Sequence, residues 1–196
     1  MNEAVAHSAG IPLRIIAVVL AAGRASRMGA DSGHKLLAKF DGVPLVRNSV
    51  ETALASKADR VLAVTGYRAS DIEAALYGLD CHIVRNPDYE LGMSSSLTLG
   101  LATVESEADG LLVMLADMPG IRPDHLDAMI SAFHRGQGKV IIRAVADGRW
   151  GNPVILPAST FEAISRLTGD VGARRRVPPD RGGGRIREDI AERPQT

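Results

Sequence analysis

The sequence predicts one α/β domain of three layers, with helices on both faces of a mostly parallel β-sheet. Short runs of β-branched and other aliphatic residues alternate with amphipathic segments of helical length, which is the pattern of such a sheet. Several runs are apolar on both faces, as strands covered by helices on each side must be. The chain has 196 residues, of which 45% are hydrophobic and only 4% aromatic. This length and composition favour a single aliphatic core.

Each predicted element follows from a local pattern. The helix signals are a proline in the first turn of segment 44–55, a serine cap followed by an acidic residue in 70–76, and a one-sided apolar face in 123–133. The predicted strands are residues 15–20, 60–65, 81–84, 110–116 and 139–145. Parallel strands share one carboxyl edge, so this Rossmann-like order places the ligand-binding loops along that edge.

Charge and cysteine content exclude several classes of function. Lys plus Arg and Asp plus Glu each number 23, giving a formal net charge of +0. No global field therefore draws the chain to nucleic acid or to an anionic membrane, and any anion site is local. The single cysteine, Cys81, has strand-like flanks that predict a buried, inert thiol. The lack of a membrane-spanning run or signal-peptide pattern predicts a soluble, cytoplasmic protein.

Composition also predicts the domain boundaries. Residues 1–14 are expected to be an N-terminal extension, and residues 15–175 carry all the predicted strands and helices. Residues 176–196 are rich in Arg, Pro and Gly, which predicts a flexible tail of atypical composition.

A loop of small residues follows the first predicted strand. Residues 18–29 read VVLAAGRASRMG, and Lys35 follows shortly after. Small residues let backbone N–H groups approach an anion, while Arg24, Arg27 and Lys35 supply positive charge around the same point. The pattern predicts a triphosphate-binding loop. Taken alone, a strand-to-glycine turn is equally an ordinary structural turn, so the interpretation depends on the other segments.

A carboxylate ends the predicted strand 110–116. Asp117 follows this apolar run directly, and Pro119 prevents the strand from continuing. A carboxylate at the end of a buried strand is costly unless it is paired or coordinated. In isolation Asp117 could simply cap the next turn, but beside a triphosphate-binding loop it is expected to bind Mg²⁺.

Three further segments are expected at the same edge. In residues 86–97, Gly92 leads into a serine-rich helix start whose N–H groups and hydroxyls could hold a phosphate or contact a base. An ordinary serine N-cap explains that segment equally well. The segment 149–154 makes a tight turn before a strand, and the segment 168–174 places Asp170 between glycines.

In their order along the chain, these five motifs resemble those of the MobA-like nucleotidyltransferase family, and within it the molybdenum cofactor cytidylyltransferases. The resemblance covers residues 15–175. It implies catalytic roles for Arg27, Lys35 and Asp117, and metal binding by Asp117, with Asp170 as a second metal contact. The nucleotide-binding residues that it implies are Leu20, Ala21, Ala22, Gly23, Arg24, Gly92, Ser94 and Ser95. It further implies a pterin-side, substrate-binding loop made of Gly151, Asn152 and Pro153.

The reaction implied by the resemblance transfers CMP from CTP to the phosphate of molybdenum-loaded molybdopterin and releases pyrophosphate. Mg²⁺ is the implied cofactor, and a molybdenum hydroxylase is the implied recipient of the product. Guanylyltransferases of the family usually have glycine where this chain has Ala22, so the resemblance favours CTP over GTP. A methyl group there would also crowd a purine more than a pyrimidine.

Other readings of the sequence remain open at this point. They are a guanylyltransferase, a sugar-phosphate nucleotidyltransferase of the same fold, and a non-catalytic chaperone that binds molybdopterin. The five histidines lack metal-site spacing, and His34, His125 and His134 are expected to be exposed helix or loop residues.

Overall fold

A six-stranded sheet forms the centre of the computed structural model, which describes residues 12–24, 34–146 and 148–167. The strands are Ile15–Ala21 (β1), Lys39–Phe40 (β2), Val43–Pro44 (β3), Arg60–Thr65 (β4), His82–Arg85 (β5), Gly110–Leu115 (β6), Ile142–Ala146 (β7) and Arg149–Pro157 (β8). The α-helices are Leu45–Leu54 (α1), Ala69–Ala75 (α2), Met93–Val104 (α3), Pro123–Arg135 (α4) and Phe161–Ser165 (α5). Short 3₁₀ helices span Lys35–Leu37, Tyr89–Leu91 and Ala158–Thr160.

The strand order in the sheet is β5-β4-β1-β6-β8-β7. Strands β5, β4, β1 and β6 run parallel to one another, whereas β8 runs antiparallel between β6 and β7. The parallel strands therefore end at one common edge, which we call the carboxyl edge. A separate two-stranded hairpin pairs β2 with β3.

Strand β1 is central because all seven of its residues are apolar and buried. It pairs with β4 on one side and β6 on the other, so its backbone groups are satisfied within the sheet. Alternate side chains point to opposite faces of a strand. Ile15, Ala17 and Val19 accordingly join one apolar cluster, and Ile16 and Val18 join another.

Those two clusters form the cores on the two faces of the sheet. The first contains apolar side chains of α1, α2 and α4, such as Val50, Ile72 and Phe133. The second contains those of α3 and α5, such as Leu101 and Ile164. Two helix layers that enclose one sheet confirm the predicted three-layer α/β/α architecture.

Two aspartates fix the start of β1 at the opposite, amino edge of the sheet. The Arg14 N–H donates to Asp109 Oδ2 at 2.8 Å, and the Ile15 N–H donates to Asp59 Oδ2 at 2.7 Å. The Asp59 N–H donates in return to the Ile15 carbonyl at 2.8 Å. The amino edge is therefore held by side-chain bonds far from the loops of the carboxyl edge.

Three further predictions concern the cysteine thiol, membrane-spanning helices and the terminal segments. Cys81 lies just before β5 and is half-buried, and burial raises the pKa of its thiol, which agrees with the expected inertness. Among the described helices, none has the length and apolarity that crossing a membrane requires. The terminal segments predicted as an extension and a tail lie outside the described residues, apart from 12–14.

Candidate functional site

Four loops meet at the carboxyl edge. They follow β1 at Ala22, β4 at Gly66, β5 at Asn86 and β6 at Ala116. Backbone bonds join them, since the Tyr67 N–H donates to the Ala22 carbonyl at 3.1 Å and the Asn86 N–H donates to the Thr65 carbonyl at 2.8 Å. The predicted gathering of loops at this edge is therefore present in the structure.

Lys35 and Asp117 form an ion pair at the centre of the edge. Lys35 Nζ lies 2.6 Å from Asp117 Oδ2, although 82 residues separate the two in sequence. Lys35 begins a 3₁₀ helix that is anchored by the buried Leu36. Side-chain exposures of 40% and 33% leave both charged groups accessible to a ligand. The two residues predicted to act on the phosphates and the metal thus share one point in the fold.

The backbone around Asp117 is held in place by neighbouring elements. The Ala116 N–H donates to the Leu20 carbonyl at 3.1 Å, which continues the pairing of β1 with β6. The hydroxyl of the buried Ser49, on α1, donates to the Ala116 carbonyl at 3.1 Å. These bonds fix the backbone at the end of β6, from which the Asp117 side chain extends.

The first loop keeps its small residues close to the sheet. Ala21 and Ala22 are buried, whereas Gly23 and Arg24 are exposed. A Cβ added to Gly23 would meet no atom of residues 12–24, 34–146 and 148–167 within 4 Å. Open space over a glycine suits the close approach of an anion to main-chain N–H groups.

Arg24 contacts the loop that follows β5. Its guanidinium carbon lies 5.5 Å from the ring centroid of Tyr67 and 5.7 Å from that of Tyr89, and its guanidinium pairs with Glu90. A hydrogen bond that the guanidinium donates to Tyr89 and the negative charge of Glu90 raise the pKa of Arg24 above the ordinary value. Binding of a nucleotide by Arg24 stays a prediction.

Gly66 and Tyr89 are parts of the site that the sequence analysis missed. A Cβ at Gly66 would lie 2.6 Å from the Tyr89 Cβ and 2.8 Å from the Ala22 Cβ. The loops after β1, β4 and β5 can therefore meet only because residue 66 has no side chain. No local sequence signal reports such a tertiary approach.

His34 is buried, so the expectation of an exposed loop residue was wrong. Only 6% of it is exposed, and neither ring nitrogen has a hydrogen-bond partner among the residues that the structure describes. Its ring centroid lies 5.5 Å from that of Tyr67. Burial lowers the pKa of the imidazole, and the nearby Gly23 carbonyl opposes that effect. The aromatic contact and the adjacent Leu36 explain why this segment turns inward.

The start of α3 is organised by Asn86. Its buried side-chain amide donates to Ser95 Oγ and to Ser96 Oγ, each at 2.9 Å. Ser95 Oγ also lies 2.8 Å from the Gly92 carbonyl oxygen. Gly92 itself occupies the N-cap position at φ 101°, and no side chain caps the helix. The alternative of an ordinary serine N-cap is therefore wrong, whereas ligand binding by Gly92, Ser94 and Ser95 stays a prediction.

Gly151, Asn152 and Pro153 lie within β8, which begins at Arg149, so the expectation of a tight turn before a strand was wrong. Val154 of β8 pairs with Val113 of β6, so the preceding residues of β8 extend toward the carboxyl edge. The Asn152–Pro153 peptide is cis. Contact of these three residues with a substrate stays a prediction.

Among the described residues, no three His, Cys, Asp or Glu side chains gather in a way that could hold a metal ion. Asp117, half-buried and paired with Lys35, is the carboxylate that directly follows β6 at this edge. This donor set fits Mg²⁺, which typically binds one or two carboxylates and fills its other positions with water and substrate phosphates. The remaining predicted residues, Arg27 and Asp170, lie outside the described part of the chain.

Comparisons with known proteins identify the family of this chain. The model of one family, the MobA-like NTP transferase domain, matches residues 17–181. The purine catabolism protein PucB of Bacillus subtilis is 32% identical over 173 residues, which cover 82% of this chain and 79% of PucB. The bifunctional protein GlmU of Geobacter metallireducens is 29% identical over 71% of this chain, which spans only 28% of GlmU.

Solved structures give the same fold. Rv0371C of Mycobacterium tuberculosis, in complex with manganese, superposes with a TM-score of 0.73 at 27% identity and covers 91% of this chain and 88% of its own. A nucleotidyl transferase from Methanothermobacter thermautotroptrophicus gives a TM-score of 0.65 at 28% identity, with 81% and 79% covered. Proteins of this fold commonly use divalent metals, and the manganese complex is one example.

Proposed function

This chain belongs to the MobA-like NTP transferase family, and on that premise we propose that it is a cytidylyltransferase of molybdenum cofactor maturation. It transfers CMP from CTP to the phosphate of molybdenum-loaded molybdopterin and releases pyrophosphate. The observation that carries the proposal is the Lys35–Asp117 pair, which lies accessible at the carboxyl edge beside Gly23. A cytoplasmic location and delivery of the product to a molybdenum hydroxylase are parts of the same proposal.

The reaction needs positioning and charge neutralisation more than it needs a nucleophilic side chain. An oxygen of the acceptor phosphate, already an anion at neutral pH, forms a bond to the α-phosphorus of CTP, and the bond to the pyrophosphate oxygen breaks. No covalent intermediate on the enzyme is required. The protein must hold two mutually repelling anions in line and stabilise the charge on the leaving group.

The residues divide this work by their positions. Lys35 supplies a positive charge for the phosphate oxygens, and Arg27 is assigned the same role. An added Cβ at Gly23 would meet no atom of the described residues, and the proposal places a phosphate near the main-chain N–H groups of this loop. Asp117, with Asp170 as a proposed second contact, would hold Mg²⁺, which as a Lewis acid neutralises phosphate charge when bound.

The preference for CTP is proposed from Ala22. Its methyl group is buried, and its Cβ lies 2.8 Å from the position that a Cβ of residue 66 would take. The methyl group therefore lies between the loops after β1 and β4. The choice of CTP over GTP itself comes from the sequence resemblance, and the proposal takes this methyl group to leave less room for a purine than a glycine would.

The decisive experiment measures pyrophosphate release with Mg²⁺ and molybdenum-loaded molybdopterin, using CTP or GTP. Release with CTP alone is expected. Release with GTP alone would replace the proposal by a guanylyltransferase, and turnover with sugar 1-phosphates as acceptors would replace it by a sugar-phosphate nucleotidyltransferase. A protein that binds molybdopterin but releases no pyrophosphate with either nucleotide would be a chaperone.

Asp117→Asn tests the site in the same assay. The change removes the charge and keeps the shape, so turnover is expected to fall by about a hundredfold or more while the protein remains folded. Asp80→Asn is the matched control, because Asp80 is exposed before β5 at the amino edge. Normal turnover by Asp117→Asn would contradict the assigned role.

A further inference from the structure

Trp150 stands out as an exposed aromatic side chain beside the candidate site. It is 67% exposed, whereas most large apolar side chains of the described chain are buried. The guanidinium carbon of Arg143 lies 5.7 Å from the centroid of its indole ring. A cation over one face of an indole is an attractive contact that restrains the ring. The exposure of Trp150 leaves ring surface open to a ligand.

The register of the sheet sets Trp150 level with Asp117. Val113 of β6 pairs with Val154 of β8, and the two strands are antiparallel. Asp117 lies four positions beyond this pair along one chain, and Trp150 lies four positions beyond it along the other. Both residues therefore stand at the carboxyl edge at a similar height.

The strand order tells which side of Asp117 Trp150 occupies. The loops after β1, β4 and β5, which carry Gly23, Tyr67 and Asn86, lie on one side of the loop after β6. Trp150 opens β8, which lies on the other side of β6. The nucleotide loop and Trp150 therefore flank Asp117 from opposite sides, as the donor and acceptor of a transferred group would.

We propose that Trp150, restrained by Arg143, is the stacking platform for the planar heterocycle of the acceptor substrate. This assignment rests on the proposed function, because it takes the acceptor to be a pterin. Stacking of a planar ring on an indole contributes binding without requiring a specific hydrogen bond. Trp150 is thus a substrate-specificity residue, and it directly precedes Gly151, Asn152 and Pro153 in β8. The cytosine ring of CTP has the same stacking chemistry, so the test must separate the two rings.

Steady-state kinetics give the first test. Trp150→Ala is expected to raise the KM for molybdopterin about tenfold or more and to leave the KM for CTP unchanged. Trp150→Phe, which keeps a ring, is expected to recover most of that loss. Tyr77→Ala is the matched control, since Tyr77 is 86% exposed and follows α2 at the amino edge. A higher KM for CTP alone would overturn the assignment to the acceptor.

A binding measurement gives a second readout that does not depend on turnover. Trp150 is the single tryptophan of the chain, so saturable quenching of tryptophan fluorescence reports on this residue alone. Titration with 6-hydroxymethylpterin is expected to quench it, and CTP is not. The fluorescence anisotropy of the pterin then gives its Kd for the wild type, Trp150→Ala and Trp150→Phe. Equal Kd values for wild type and Trp150→Ala would overturn the proposal.

The two assays separate this inference from the proposed function. Pterin binding that depends on Trp150, without CTP turnover, would support the platform and contradict the cytidylyltransferase. CTP turnover with an unchanged acceptor KM in Trp150→Ala would support the enzyme and contradict the platform. Circular dichroism of each variant verifies that the fold is retained, which the exposed position of Trp150 favours.

Discussion

His34 is a buried imidazole whose two nitrogens have no hydrogen-bond partner in the described part of the chain, and its environment makes stability depend on pH. Burial lowers its pKa below the ordinary value of 6.5, with Arg68 acting in the same direction and the Gly23 carbonyl and Asp71 opposing. As the pH falls below about 6.5, the unfolded chain takes up the proton first, so the free energy of unfolding decreases. The decrease ends once the pH is below the folded-state pKa.

Replacing His34 should remove this acid sensitivity. We expect the urea midpoint of the wild type to fall between pH 7.5 and pH 5.5 by more than that of His34→Leu. The leucine is also expected to be tolerated at pH 7.5, because an unpaired buried polar group is lost. His134→Leu, at an exposed position near the end of α4, should behave like the wild type. Identical pH profiles for His34→Leu and the wild type would contradict this account.

Gly66 and Gly23 should separate stability from ligand binding. In Gly66→Ala the new methyl group meets the Cβ atoms of Tyr89 and Ala22. Because a Cβ atom is attached directly to the backbone, neither can move aside easily. We therefore expect the free energy of unfolding to fall by about 1–3 kcal/mol. Gly23→Ala meets no atom of the described residues and should unfold near the wild-type midpoint, yet turn over more slowly because the space for the phosphate is reduced. Urea denaturation and pyrophosphate release measure the two effects. A destabilised Gly23→Ala protein together with a Gly66→Ala protein of unchanged stability would contradict this account.

Sequence reasoning at this scale succeeded where strand ends dictate position. Lys35 and Asp117 were both expected at the carboxyl edge, and they meet there. Gly66 and Tyr89 could not be found, because their importance lies in a contact between two loops. The exposure of His34 was misjudged because a polar residue near glycines resembles a surface loop, whereas an aromatic neighbour brings it inside.

At the scale of elements, α3 is the helix whose packing is most tightly defined. Gly100 brings it onto the sheet, since a Cβ there would lie 2.9 Å from Val18 Cγ1 and 3.2 Å from Val64 Cγ2. Both valines are buried in the core, so neither can move freely. The distance between α3 and β1 therefore depends on this one residue, and α3 in turn positions Ser95 beside Asn86.

Gly100→Ala tests two opposing effects. Alanine favours helix formation by about 1 kcal/mol relative to glycine, but the forced contact with Val18 costs about 1–3 kcal/mol. We expect the steric effect to dominate and the urea midpoint to fall. Adding Val18→Ala should relieve the contact, so the double variant should lose less than the sum of the single changes. A stabilised Gly100→Ala protein would contradict the close approach.

Strand positions were more predictable than strand directions. Residues 60–65 were predicted with the bounds that β4 has, because a β-branched run marks a buried strand. The strand before β8 was expected from residue 139 but begins at Ile142. The reversal of β8 between β6 and β7 carries no signature in the alternation of apolar residues, and the two-residue strands β2 and β3 are too short to show one.

At the scale of the whole molecule, the two edges of the sheet have different tasks. Asp59 and Asp109 hold the start of β1 at the amino edge, whereas the loops of the candidate site occupy the carboxyl edge. Stability and activity are therefore expected to respond separately to changes at the two edges.

Asp59→Ala tests this separation. It leaves the Ile15 N–H without its acceptor, which should cost about 1–3 kcal/mol in unfolding free energy. Turnover at 25 °C should stay near that of the wild type, while the thermal midpoint falls. Asp80→Ala, exposed at the same edge, is the control that should change neither. A large loss of turnover in folded Asp59→Ala protein would show that the edges are coupled.

The ion pair of Lys35 and Asp117 also bears on which ligands the candidate site binds. The two opposite charges already neutralise one another at 2.6 Å. A small anion that binds only the Lys35 ammonium leaves the Asp117 carboxylate unpaired. A lone cation that binds Asp117 leaves the Lys35 ammonium unpaired. A triphosphate that arrives with its counter-cation provides a fresh partner for each at the same moment. We therefore expect a free phosphate or a lone cation to bind at this pair more weakly than a triphosphate that carries its counter-cation.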